Sequence, residues 1–238
     1  QFGTISLNGP NARKVMKKIS PSHDFSKENF PHMSFQNVNI KNVTCRVMRI
    51  SFTGELCYEV NVPSSYANSI WQMCIDAGEE FNITPYGTEA MHVLRAEKGF
   101  IIVGQETDGS VTPVDLDMHW ILNQKKYDFI GKRALYRSDT IKENRKQLVG
   151  LLTNNPNEIL EEGVQLVEKE TALPMKMVGH VTSSYYSPNL GRSFALALIQ
   201  GGINKKGKKL FAPHLNKTME VEITNPVFID PSNERPRV

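Results

Sequence analysis

Two spacings of hydrophobic residues alternate along the first hundred positions. A period of two is typical of a half-buried strand, and spacings of three and four are typical of one helix face. Residues 56–62 have the first pattern, with Glu59 on the face opposite the apolar set. The patterns predict, in chain order, a strand over residues 3–7, a helix starting at 8–10, a loop over 20–37, two strands within 38–62, a helix after Pro63 and a helix over 88–98.

The pattern changes after residue 145, where helical spacing disappears and short apolar runs recur. Recurrent short strands are typical of a small barrel or sandwich. The predicted strands cover residues 147–152, 163–167, 176–182, 194–199, 209–212 and 219–224. The charged stretch 136–146 predicts a boundary between two domains, 1–140 and 145–238. The predicted fold class is α+β, followed by a small all-β unit.

Composition and charge limit the classes of partner. The 238 residues are 39% hydrophobic and 22% charged, as in a globular protein. The net charge of +3 is too small to indicate nucleic acid, and we interpret the lysine-rich stretch 205–209 as a solvated hairpin tip because Gly207 interrupts it. Apolar runs such as 194–199 are too short to span a bilayer. We expect neither a nucleic-acid partner nor a membrane partner.

The cysteine and histidine positions show no metal-site spacing. Cys45, Cys57 and Cys74 are odd in number and are interpreted as reduced thiols of a cytoplasmic protein. The six histidines are scattered, so no metal is expected. The chain begins with Gln1, from which we expect a piece of a longer gene product.

Three clusters have chemical content, and each allows a plain structural interpretation. Residues 52–59 end in Glu59, which is either a solvated carboxylate or a group facing a cleft. Residues 93–99 contain Arg95, which either points into a cleft or pairs with a surface acid. Residues 179–192 hold small polar residues and two tyrosines, which fits a lid or a long hairpin loop. None of the three alone is an active-site signature.

Taken in order, these clusters resemble one family. The chain resembles the aminomethyltransferase (glycine-cleavage T-protein) superfamily and, within it, the C-terminal region of sarcosine oxidase alpha subunits. The matching stretches are residues 5–10, 52–59, 86–99, 103–109, 129–133 and 179–188. The run 86–109 is the most specific, because ordinary T-proteins differ there. The resemblance implies an aminomethyltransferase-like folate-binding portion over 1–140, without its N-terminal part, and a C-terminal β-barrel over 145–238.

The resemblance also implies cofactor-binding residues. Glu59 matches the glutamate that holds the pterin ring of tetrahydrofolate, whose edge presents two N–H donors side by side to one carboxylate. Phe52 stands where the family usually has tyrosine, and it keeps the ring for packing. Arg95 matches an arginine near the carboxylate tail of folate. Tyr86 and Tyr186 lie in matching stretches and are the remaining candidates.

Two departures from the family pattern limit these assignments. The family has a further arginine four positions before Arg95, where this chain has Met91. The catalytic aspartate of the family lies upstream of Gln1, so no catalytic residue is assigned. FAD or FMN and NAD belong, by the same resemblance, to other parts of the assembly.

The implied activity is capture of a one-carbon unit. A flavin elsewhere oxidises sarcosine, and the folate-binding part accepts the carbon to form 5,10-methylenetetrahydrofolate and glycine, with other sarcosine oxidase subunits as partners. The chain alone is expected to be inactive. One alternative is a free-standing aminomethyltransferase of glycine cleavage. Another is a non-catalytic folate-binding protein of iron–sulfur cluster assembly, although that branch has cysteine where this chain has Phe100.

Overall fold

The structure is a computed structural model that describes residues 1–123, 125–214 and 217–238. The chain divides into two compact units, one formed by residues 1–95 and 230–238 and the other by residues 96–229. This division differs from the predicted boundary between 140 and 145, because residues 96–140 group with the later strands and the last nine residues return to the first unit. Separable domains over 1–140 and 145–238 stay a prediction.

The first unit contains a four-stranded antiparallel sheet. Its strands are β1 (Phe2–Asn8), β2 (Phe35–Ile40), β3 (Val43–Met48) and β4 (Cys57–Pro63). Their order is β1-β4-β3-β2, which places β1 at one edge. Alternation directs Ile5, Leu7, Tyr58 and Val60 into the core and leaves the opposite face polar.

Two helices pack their apolar faces on this sheet. Helix α1 (Ala12–Ile19) buries Ala12, Val15, Met16 and Ile19, which are the positions that share one helix face, and α2 (Ala67–Gly78) buries Ile70 and Cys74. A third helix, α3 (Thr88–Glu97), ends before Gly99, which has a positive φ of +70°. The predicted helices are confirmed in position and type.

The prediction of two strands within residues 38–62 was wrong, since β2, β3 and β4 occupy that region. The missed feature is a tight hairpin between Ile40 and Val43. Lys41 adopts a left-handed φ of 51° at its turn, a conformation that glycine or asparagine usually signals. Asn42 follows Lys41 in this turn, but the residue with the left-handed conformation is a lysine, so the signal in the sequence was only partial.

The second unit contains a closed barrel of six strands. They are β5 (Lys146–Thr153), β6 (Gln165–Val167), β7 (Met177–Ser187), β8 (Arg192–Gln200), β9 (Lys209–His214) and β10 (Lys217–Thr224). The order around the barrel is β10-β5-β8-β7-β6-β9, and all pairs are antiparallel. The predicted α+β fold followed by a small β-barrel is confirmed. The strand pattern alone allowed a barrel or a sandwich, and the closed order of the six strands shows that it is a barrel.

The third sequence cluster is neither a lid nor a long loop. Most of residues 179–192 belong to β7, which pairs with β8 along its length, and only a short turn joins the two strands. Two of its buried serines have internal partners. Ser187 donates to the buried carboxylate of Glu97 at 2.5 Å, and Ser183 donates to the buried Glu106. Sequence alone did not show these partners.

An ion pair anchors the irregular segment that precedes the barrel. Arg145 donates from Nε and Nη2 to the two carboxylate oxygens of Asp115 at 2.8 and 2.7 Å. Burial alone would raise the pKa of Asp115, but hydrogen bonds from Arg145 and Thr112 hold it below its ordinary value. The backbone carbonyl of Asp115 also accepts from Leu148 of β5 at 2.8 Å. The segment is therefore tied to the barrel through Asp115.

Candidate functional site

The polar face of the first sheet carries the candidate site. Side chains directly opposite each other in an antiparallel ladder project from the same face. Ser6 of β1 is opposite Glu59 of β4, and Asn8 is opposite Cys57. The register therefore gathers these four side chains on the face away from the core, where Ser6 Oγ lies 3.5 Å from Cys57 Sγ.

Glu59 has unused hydrogen-bonding capacity. Its side chain is half-buried, and burial raises the pKa of its carboxyl group above the ordinary value of 4.5. Within the residues that the structure describes, its carboxylate has neither a hydrogen-bond donor nor an ion-pair partner. An ionised carboxylate accepts at two oxygens, so Glu59 can receive a ligand that presents two neighbouring N–H groups.

Asn8 connects three segments beside Glu59. Its Nδ2 donates to Ser6 Oγ at 2.9 Å and to Tyr86 Oη at 2.5 Å. Its Oδ1 accepts from Thr53 Oγ1 at 2.9 Å. One side chain at the end of β1 thus holds the loop before β4 and the segment leading into α3.

Tyr86 lies within electrostatic range of Glu59. Burial raises the pKa of the Tyr86 phenol, the charge of Glu59 adds to the increase, and hydrogen bonds with Ser6 and Asn8 oppose it. The residue remains 40% exposed. Its hydroxyl is therefore fixed by neighbours but still accessible.

A cavity of about 410 Å³ adjoins this cluster. Ser6, Asn8 and Tyr86 line it together with apolar residues of α2 and the following loop, including Trp71 and Phe81. Trp71 is 41% exposed and faces this space. The volume of this cavity is in the range of small-molecule binding sites.

The other sequence candidates are distributed over both units. Phe52 is half-buried in the loop before β4, next to Thr53, and Arg95 is fully buried near the end of α3. Tyr186 lies on β7 of the barrel and is 40% exposed. The structure brings Glu59 and Tyr86 together within the first unit, while Tyr186 belongs to the second unit.

Sequence reasoning missed Ser6, Asn8 and Thr53 as site residues. Asn8 was interpreted only as part of a helix-start signal. The alternation of Thr4, Ser6 and Asn8 with Ile5 and Leu7 marks a polar strand face, but it does not show which strand lies alongside. The missing information was the pairing of β1 with β4.

The described residues contain no group of three or more His, Cys, Asp or Glu side chains arranged to hold a metal ion. Burial raises the pKa of Cys57 to about 12 and that of Cys74 to about 11, so both thiols stay protonated and unreactive near neutral pH. Among the described helices, none has the length and hydrophobicity needed to traverse a bilayer.

The protein therefore belongs to a class with two parts. The first part is an α+β unit with an unpaired carboxylate on the polar face of its sheet, and the second part is a closed barrel. Family models match both parts. The GCVT N-terminal domain matches residues 1–126, and the glycine cleavage T-protein C-terminal barrel domain matches residues 146–230. The chain belongs to the glycine cleavage T-protein family.

Individual relatives agree with this assignment. The chain is 46% identical to the sarcosine oxidase subunit alpha of Corynebacterium sp. (strain P-1), over 99% of this chain and 25% of that protein. It is 28% identical to an aminomethyltransferase of Thermoanaerobacter pseudethanolicus, over 96% of this chain and 60% of the relative. The chain therefore spans about a quarter of the length of the sarcosine oxidase alpha subunits that it matches.

A solved structure supports the same fold. The glycine cleavage system aminomethyltransferase T from Bartonella henselae superposes with a TM-score of 0.81, covering 97% of this chain and 60% of that one. The sequence identity is 19%, so this similarity concerns the fold alone.

Proposed function

We propose that this chain provides the tetrahydrofolate-binding part of an enzyme that captures one-carbon units released from methylated amines. The observation that carries the proposal is Glu59, a half-buried carboxylate with no partner among the described residues, which lies directly across the β1–β4 ladder from Ser6, a residue lining a cavity of small-molecule size. A buried charge that lacks an internal partner is costly, and a ligand that donates hydrogen bonds offsets that cost.

The chemistry of Glu59 fits the pterin ring of tetrahydrofolate. The ring presents a ring N–H and an amino group on one edge, and one carboxylate accepts both hydrogen bonds in parallel. When bound, tetrahydrofolate supplies the amine nitrogens that receive the one-carbon unit. The chain's own contribution is to bind and orient those nitrogens, which lowers the entropic cost of the transfer.

Other residues have supporting roles in this proposal. Phe52 packs against the ligand without adding a hydroxyl group, and Tyr86 contacts it from the segment before α3. By the family resemblance, Arg95, which is fully buried, is assigned to the negatively charged tail of folate, and Tyr186 is a further candidate. These four assignments follow the family resemblance, and the contacts described above support most directly the pair Glu59 and Tyr86.

A sarcosine oxidase-like parent is favoured over a free-standing aminomethyltransferase. Identity is 46% with a sarcosine oxidase alpha subunit and 28% with an aminomethyltransferase. In this proposal, sarcosine is oxidised on a flavin elsewhere, FAD or FMN and NAD bind outside this chain, and other subunits complete the enzyme. The three cysteines are buried and unpaired, which supports a reducing compartment such as the cytoplasm.

Replacement of Glu59 tests the proposal. A hydrogen bond to a charged group contributes about 1.5–3 kcal/mol, so Glu59→Ala is expected to weaken tetrahydrofolate binding about 10- to 100-fold. Calorimetric titration of the full-length protein measures this. Glu28→Ala removes an exposed carboxylate from a loop and is the matched control, with unchanged affinity. Equal dissociation constants for wild type and a well-folded Glu59→Ala variant would refute the proposal.

A further inference from the structure

The side chain of Asn8 uses both of its donor protons and one acceptor site on three hydroxyl groups around Glu59. Both protons of Nδ2 are engaged, one by Ser6 and one by Tyr86, while Oδ1 accepts from Thr53. An amide has two donor protons, so this arrangement leaves none for a ligand. Asn8 therefore orients its neighbours and does not bind a ligand through its amide group.

The direction of the Tyr86 proton follows from this arrangement. Tyr86 Oη accepts a hydrogen bond from Asn8 Nδ2 at 2.5 Å. A phenol that accepts at its oxygen still has its own proton to donate, and here both Ser6 Oγ, which hydrogen-bonds with Tyr86, and an outside acceptor can receive it. Tyr86 remains 40% exposed, so an outside acceptor can reach this proton. Ser6, which also hydrogen-bonds with Tyr86, lies directly across the ladder from Glu59.

The polar face therefore presents one double acceptor and one donor to the same ligand edge. Glu59 accepts two hydrogen bonds, and Tyr86 donates one. A pterin has the complementary edge, since its 2-amino group and ring N–H are followed by a 4-oxo oxygen, which only accepts. A 2,4-diaminopteridine carries an amino group at that last position and no proton on the adjacent ring nitrogen, so it cannot accept at that position and offers Glu59 a different set of donors.

We propose that Tyr86 is a specificity-determining residue that donates a hydrogen bond to the 4-oxo oxygen of the bound pterin, and that Asn8 is the positioning residue that keeps the Tyr86 proton directed outward. The inference rests on the proposed function of Glu59. It adds selection for 4-oxo over 4-amino pteridines to that function.

The decisive measurement compares two ligands, tetrahydrofolate and a 2,4-diaminopteridine analogue of folate. Loss of one neutral hydrogen bond weakens binding about 2- to 10-fold. Tyr86→Phe is expected to weaken tetrahydrofolate binding by that factor and to leave binding of the 4-amino analogue unchanged. A merely structural role for Tyr86 would weaken both ligands equally, and that result would overturn the inference.

Asn8 is tested by a neutral truncation. Asn8→Ala removes the Nδ2 donor, so the Tyr86 proton is no longer directed outward. We expect weaker binding of tetrahydrofolate, and no further loss when Asn8→Ala is added to Tyr86→Phe, because both act through one proton. Additive losses would show that Asn8 does not act through Tyr86 and would overturn its role.

A control and a second comparison separate this inference from the proposed function. Thr44 of β3 donates to Asn39 of β2 at 2.8 Å in the same sheet, and neither residue lines the cavity, so Thr44→Val removes a similar contact and is expected to leave both affinities unchanged. If Glu59→Ala binds tetrahydrofolate as wild type does, the proposed function fails, and the inference fails with it. If Glu59→Ala weakens binding but Tyr86→Phe does not discriminate between the ligands, only the inference fails.

Discussion

Glu59 occupies an energetically unfavourable position for a carboxylate. Burial disfavours its charged form, and no donor among the described residues compensates. Proteins tolerate such a cost mainly where a ligand or reaction requires the group, which is why perturbed carboxylates concentrate at functional sites. The same cost gives Glu59 an effect on stability that is measurable without any ligand.

Replacing Glu59 by glutamine should stabilise the ligand-free protein at neutral pH. Because the pKa of Glu59 is raised above 4.5 on folding, the folded state binds this proton more tightly than the unfolded state does, so the burial cost grows as pH rises. The gain in stability from Glu59→Gln should therefore disappear as the pH falls through the pKa of Glu59 in the folded protein and then through its pKa in the unfolded chain. Urea unfolding between about pH 4 and about pH 7 measures it. Glu28→Gln is the exposed control, and a pH-independent difference would contradict the argument.

Among the structural elements, the segment before the barrel depends on the pair between Asp115 and Arg145. Asp115 is 1% exposed, and the pair is bidentate. Asp115→Asn leaves the Arg145 charge without its main partner, so we expect a loss of about 3 kcal/mol in the free energy of unfolding. Asp139, which is exposed and 3.5 Å from Arg145, provides the control. Chemical denaturation should show little effect of Asp139→Asn, and similar effects of both changes would contradict the anchoring role.

Elements with a strong periodic pattern could be predicted, and elements defined by partners could not. Helix α1 and the barrel strands follow from spacing alone, because their apolar residues must share one buried face. The hairpin at Lys41 escaped prediction because its turn has no glycine. The second half of strand β7, beyond the predicted strand over 176–182, was taken for part of a lid or loop, because its serines look solvent-exposed until Glu97 and Glu106 are known to accept their hydrogen bonds.

For the whole molecule, the predicted boundary remains open to a direct test. Residues 136–142 are mostly exposed and include Arg137 and Lys142. Limited trypsin digestion should cut there before it cuts within the barrel strands, where backbone groups are hydrogen-bonded. Mass spectrometry of the first fragments locates the cut. Protection of 136–142, with earlier cleavage inside the segments on either side of it, would contradict a boundary in this stretch.

The family resemblance, and not the spacing of residues, made Glu59 the leading candidate site residue, and its role stays a prediction. The sequence by itself determined the secondary structure of most elements and the α+β and barrel composition. These depend on periodicity and local motifs, which are written in neighbouring residues. Tertiary structure alone decided that β1 pairs with β4, that Asn8 holds Ser6, Thr53 and Tyr86 around Glu59, and that the barrel closes. These features arise from contacts between residues far apart in the chain, and a single sequence does not record which distant residues meet.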